Sequence, residues 1–86
     1  MAYSIIVSRK VEKEIFKLPE QIVKGISNAI DKLADNPRPP GSKKIKGTDE
    51  NLWRVRVGDY RIIYSIEDVL KIVEIKRVRH RKEVYL

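Results

Sequence analysis

Arg54, Arg56, Arg61, Arg79, His80, Arg81, Lys82 and Tyr85 are the residues of this 86-residue chain whose types could do chemistry together. A guanidinium holds phosphate oxygens through paired N–H donors whose fork matches the anion. Histidine is the side chain whose ordinary proton affinity lies nearest neutrality, and tyrosine offers a phenol proton and a face on which a base can stack. Such a set suits RNA cleavage without a metal. The 2′-hydroxyl attacks the adjacent phosphate once it is oriented, loses its proton and has its growing charge stabilised. Arg54, Arg56, Arg61 and Arg81 are candidates to clamp phosphate oxygens, and His80 and Tyr85 to divide proton transfer or stack a base. DNA lacks the attacking hydroxyl, so this chemistry discriminates between the two nucleic acids at the reacting step. Each residue also has a structural reading. His80 and Lys82 can belong to a solvated charge run, Tyr85 can close the core edge with its ring, and Arg54 and Arg56 can pair with acids on neighbouring elements.

Other enzyme classes find little support. The chain has one His and no Cys, and its four glycines, at positions 25, 41, 47 and 58, form no phosphate-binding loop. The acidic pairs Glu12/Glu14, Asp49/Glu50 and Glu67/Asp68 fall in helix-surface or turn contexts with no sign of converging, which disfavours a two-metal nuclease; neither metal nor cofactor is expected. A formal net charge of +7 points to an acidic partner, nucleic acid first and an acidic protein second. No segment approaches the about 18–20 consecutive apolar residues of a membrane span, so no membrane partner is expected. With no cysteine and no signal or transit pattern over Met1 to Val7, the expected location is the cytoplasm.

The elements that must position these residues follow from periodicity. Tyr3 to Val7 is a short β-branched run, and Ser8 is a candidate helix cap. Val11, Ile15 and Leu18 make one apolar stripe of a first helix, which Pro19 closes. Ile22, Ile26, Ala29, Ile30 and Leu33 make the stripe of a second, ending before Asn36-Pro37. Pro37 to Ser42 is a loop. Leu52 to Val57, Tyr60 to Ile66 and Val69 to Val78 read as three strands joined by turns at Gly58-Asp59 and Glu67-Asp68. In the first of these Trp53, Val55 and Val57 face a core while Arg54 and Arg56 face away. The expectation is a single α+β domain over residues 1–86: an N-terminal strand, an antiparallel helix pair, then a three-stranded antiparallel meander, with one small sheet packed on the helices.

The run Leu52-Trp53-Arg54-Val55-Arg56-Val57-Gly58-Asp59-Tyr60-Arg61-Ile62-Ile63-Tyr64 and the ending His80-Arg81-Lys82-Glu83-Val84-Tyr85, set in that element order, resemble the RelE toxins of bacterial and archaeal type II toxin–antitoxin systems. The resemblance covers essentially the whole chain. It implies a domain that enters the ribosomal A site, contacts ribosomal RNA and cuts messenger RNA there, and that a RelB-like antitoxin silences in a toxin–antitoxin complex. By matched position, Arg61 corresponds to the family's phosphate-stabilising arginine, Arg81 to the arginine near the C-terminal end, His80 to a position held by His or Lys, and Tyr85 to the terminal tyrosine. Arg54 and Arg56 occupy positions of catalytic or RNA-binding Lys or Arg, and Arg79 and Lys82 extend the RNA-binding set, although Arg79 stands where many relatives have glycine. The alternatives are the related ParE toxins, which poison DNA gyrase by protein contact, and a non-catalytic basic module that binds RNA or antitoxin.

Overall fold

The computed structural model describes residues 2–47 and 51–84. In chain order the elements are β1 (Ser4–Val7), α1 (Arg9–Phe16), α2 (Glu20–Asp35), β2 (Lys43–Lys44), β3 (Leu52–Val57), β4 (Tyr60–Glu67), β5 (Ile72–His80) and α3 (Arg81–Val84). The strands form one five-stranded sheet in the order β1-β5-β4-β3-β2. All neighbours are antiparallel except β1 and β5, which run parallel with Ser4 opposite Ile72.

Local chemistry sets the boundaries. The Ser8 hydroxyl oxygen accepts the Val11 backbone N–H at 3.3 Å and so starts α1. Pro19, in extended conformation, separates α1 from α2. The β3–β4 hairpin has a two-residue turn with Gly58 at φ 59°, the positive φ that the first central position of a type II′ turn demands. The helices cover one sheet face. Val11 and Ile15 of α1 and Ile26, Ile30 and Leu33 of α2 meet Ile62, Tyr64 and Ile66 of β4 and Val73, Ile75 and Val78 of β5 in a single core. Among the described residues no helix is long and apolar enough to cross a membrane.

Three details differ from the expectation. The sheet has a fifth strand, β2, in which Lys43 and Lys44 pair with Arg54 and Trp53. Two lysines carry no apolar alternation by which a strand could be recognised. The last strand begins at Ile72 rather than Val69, because the chain from Asp68 to Lys71 is spent on the turn, with Lys71 at φ 57°. The same strand runs past Val78 to His80, after which the chain forms the single-turn helix α3.

The loop between α2 and β2 is fastened to the sheet at its start. The fully buried Tyr64 donates its hydroxyl proton to the Pro37 carbonyl at 2.8 Å. Arg38 donates through both terminal nitrogens to the Asp68 carboxylate at 3.1 and 2.9 Å, and its guanidinium lies 5.1 Å from the Trp53 ring centroid. The Tyr3 hydroxyl donates to the same carboxylate at 2.9 Å. These bonds, the Arg38 pair first, hold Asp68 below the usual carboxylate range and raise Arg38. Because this cluster is exposed, it orders the loop more than it stabilises the domain.

Burial pushes the Tyr64 phenol up to about 12 from its ordinary value of 10.0. An unfolded chain gives up that proton at lower pH than the folded one. The contribution of Tyr64 is therefore whole below pH ~10 and lost as pH rises through the folded value. Tyr64→Phe is expected to cost about 1–2 kcal/mol at neutral pH, where the Pro37 carbonyl loses its donor, and to narrow its deficit against wild type as pH rises past ~10. Urea denaturation of both proteins at neutral and alkaline pH measures the two effects.

Candidate nucleic-acid interface

With the helices on one face, the opposite face of the sheet is open, and the strand register decides what it displays. Cross-strand partners share a face. Arg56 lies opposite Arg61, and Arg61 opposite Arg79, so one row across β3, β4 and β5 is arginine throughout. The next row, from β2 to β5, is Lys43, Arg54, Ile63 and Arg77. Both rows point away from the core, since their chain neighbours Val55, Ile62 and Val78 pack into it or against it. The third row, Leu52, Ser65 and Glu74, carries an acid, and Glu74 pairs with Lys76 at 3.3 Å.

This face depends on a bulge. Tyr64 is opposite Ile75, yet the preceding Ile63 is opposite Arg77, leaving Lys76 as an extra residue in β5. Strict alternation from the buried Ile75 would send Arg77 and Arg79 into the core and His80 out. The extra residue inverts that order, so Val78 is buried and Arg77 and Arg79 join the open face.

The same inversion turns His80 to the helix side. His80 sits opposite Tyr60, their ring centroids 5.2 Å apart and edge to face, and Tyr60 packs against the core. His80 Nδ1 accepts the backbone N–H of Lys82 at 3.3 Å, the bond of a cap at the entrance to α3. Arg61 is only 2% exposed at the centre of its row. Arg79, at the sheet margin beyond the end of β1, donates to Glu14 of α1 at 3.4 Å. Arg81 is exposed and lies 3.9 Å from the Asp59 carboxylate of the β3–β4 turn, while its backbone N–H donates to the Asp59 carbonyl at 2.7 Å. Arg54 and Arg56 have no acidic partner among the described residues. Lys82 is exposed in α3. Tyr85 lies outside the described residues.

Of the expected site, then, the structure brings Arg54, Arg56, Arg61 and Arg79 onto one face, holds Arg81 at the turn beside it, and sets His80 behind it. It adds Lys43 and Arg77. Arg77 stood in a run visible in the sequence, but its direction is fixed by the bulge. Lys43 belongs to a strand too short to be read. Two grooves mark the face, one of about 290 Å³ lined by Gly41, Lys43, Arg54 and Arg56, the other of about 560 Å³ lined by Ile45, Leu52, Ile63, Lys76 and Arg77.

Fold and face together define a small α+β domain with helices on one side of its sheet and rows of basic residues on the other. The family model for the ParE toxin of the type II toxin–antitoxin system parDE matches residues 5–85, and the chain belongs to this RelE/ParE family of type II toxins. Within it the resemblance is to RelE toxins. The chain is 30% identical over 88 residues to the putative toxin RelE1 of Methanocaldococcus jannaschii, covering 99% of this chain and 97% of that protein. It is 30% identical to toxin RelE of Mycobacterium tuberculosis over 84 residues, covering 96% and 86%. A chain of the crystal structure of the archaeal RelE–RelB complex from Pyrococcus horikoshii OT3 superimposes with a TM-score of 0.83 at 30% identity, covering 94% of this chain and 97% of that one.

If His80 serves as the cap of α3, His80→Asn, which keeps an acceptor, should remain within about 0.5 kcal/mol of wild type, and His80→Ala should lose about 0.5–1 kcal/mol. Equilibrium denaturation of the three proteins tests this, and equal losses in both variants would refute the cap.

Proposed function

We propose that this toxin is a ribosome-dependent messenger RNA endonuclease that acts in the cytoplasm by 2′-hydroxyl attack on the adjacent phosphate. The observation that carries the reading is the pair of cationic rows on the open sheet face, with Arg61 at their centre. Messenger RNA in the ribosomal A site lies along that face, and ribosomal RNA supplies further phosphate for the basic surface. In the cleavage step the 2′-oxygen bonds to phosphorus and the bond to the 5′-oxygen breaks. The products are a 2′,3′-cyclic phosphate and a 5′-hydroxyl. One proton leaves the 2′-hydroxyl and one reaches the departing oxygen.

Arg61 and Arg81 stabilise the charge that grows on the phosphate, Tyr85 orients or stacks the substrate, and Arg54, Arg56, Arg79 and Lys82 bind the strand. His80, assigned to proton transfer from the sequence, faces the helices. The chain's own contribution is thus orientation and charge, with removal of the 2′-proton left to solvent or to the ribosome-bound RNA. Such a division fits an enzyme that needs the ribosome to complete its site.

Cutting of a defined messenger is expected on programmed ribosomes and not free in solution. It should fall by at least about 100-fold in Arg61→Ala and clearly in Tyr85→Phe, while His80→Asn keeps it within about tenfold. Primer extension on ribosome complexes reads all three. A collapse in His80→Asn would return proton transfer to that residue. No cutting by folded wild type would favour a toxin acting by protein contact, as in the gyrase-poisoning alternative.

The cognate partner is an antitoxin with an acidic or amphipathic segment, in keeping with the RelE–RelB complexes among the similar structures. Its association should slow as salt rises from about 50 to about 200 mM, because the +7 charge steers the encounter. Stopped-flow rates that stay flat over that range would exclude electrostatic steering.

A further inference from the structure

We propose that Asp59, in the turn between β3 and β4, is a positioning residue for Arg81: its carbonyl holds the start of α3 and its carboxylate draws the Arg81 guanidinium to the turn, where it meets the reacting phosphate. The proposal rests on the nuclease reading and concerns how Arg81 is held for its part in it. Three observations carry it.

The first is a double hold. The Arg81 backbone N–H donates to the Asp59 carbonyl at 2.7 Å, one step past the last pair of the β4–β5 ladder, Tyr60 opposite His80. The Asp59 carboxylate lies 3.9 Å from Arg81 Nε. One acidic residue thus engages the arginine at its backbone and at its charge. The second is which nitrogen the carboxylate approaches. Nε is the inner nitrogen, and among the described residues the two terminal nitrogens of Arg81 make no hydrogen bond. They are left to fork a phosphate. The third is a rigid seat. The turn consists of Gly58, at φ 59°, and Asp59 alone, so Asp59 keeps a fixed offset from Arg61 two residues along the hairpin. The junction is packed on the helix side as well, where the Tyr60 and His80 rings meet edge to face at 5.2 Å and His80 Nδ1 accepts the Lys82 N–H at 3.3 Å. Arg61 and Arg81, the two groups that stabilise phosphate charge in the nuclease reading, are therefore referred to one turn.

Charge gives the proposal a sign. Asp59 is an acid at the rim of a surface that holds a polyanion, so its removal alone strengthens the attraction for RNA. A slower reaction on its removal cannot come from that field. It reports instead the placement of Arg81.

The test compares full-length wild type, Asp59→Asn, Arg81→Ala and the double variant in cleavage of a defined messenger on programmed ribosomes, the slow variants being followed over longer times. Asparagine suits such a turn as aspartate does, so the urea midpoint of Asp59→Asn should stay close to that of wild type. Because the ion pair is exposed, the expected fall in kcat is roughly two- to fivefold, with KM unchanged or lower. The substitution should have no further effect on kcat once Arg81 is alanine. A kcat at or above that of wild type, or the same loss in the Arg81→Ala background, would overturn the positioning role. In nitrogen-15 NMR spectra of the protein alone, the Arg81 Nε–H signal should move in Asp59→Asn and exchange faster with water. An unmoved signal would overturn the hold whatever the kinetics. Wild type that shows this dependence yet never cuts would remove the nuclease reading and leave the hold on Arg81 standing.

Discussion

Everything in this molecule depends on a sheet whose two faces obey opposite demands. One face buries Ile62, Tyr64, Ile66, Val73, Ile75 and Val78 under two helices, and burial of that apolar area is the main favourable term available to a domain of this size. The other crowds arginines onto neighbouring strands, which are only about 4.8 Å apart. Guanidinium groups in that arrangement repel each other. The row at Arg56, Arg61 and Arg79 is tolerated because the same strands are held from behind by the core, and because Glu14 meets Arg79 at the margin. The domain is a basic surface stretched on an apolar frame, and its stability and its surface charge draw on the same strands.

The frame was legible in the sequence because it is periodic. Trp53, Val55 and Val57 alternate with Arg54 and Arg56, Ile26, Ile30 and Leu33 fall on one helical stripe, and Ser8 and Gly58 mark a cap and a turn by their own chemistry. What escaped were departures from period. The bulge at Lys76 leaves no mark in composition, yet it reverses every side chain after it, and whether His80 stands beside Arg61 or behind it turns on that single extra residue. Strand β2 escaped for a different reason, since two lysines become a strand only by pairing with β3. The basic residues of the site were thus readable as a set, whereas their distribution between faces was a tertiary property.

The end of the molecule opposite α3 is organised by polar contacts. Asp68 gathers Arg38 and Tyr3, Arg38 covers Trp53, and the Asn51 side chain accepts from the Trp53 indole N–H at 3.0 Å while donating to the Ile66 carbonyl at 3.0 Å. These bonds tie the start of β1, the loop after α2 and the β4–β5 turn into one corner. Tyr64, wholly buried in the core, couples the loop to the apolar frame through its bond to the Pro37 carbonyl.

The parallel pairing of β1 with β5 carries a consequence for synthesis. The first strand of the chain finds its partner in the last, and β5 also flanks the central β4. On a ribosome making this protein, the N-terminal strand and both helices emerge long before the surface on which they pack. The sheet closes only when the chain through His80 has cleared the exit tunnel. Its basic face is therefore complete only once β5 has joined strands that were made before it.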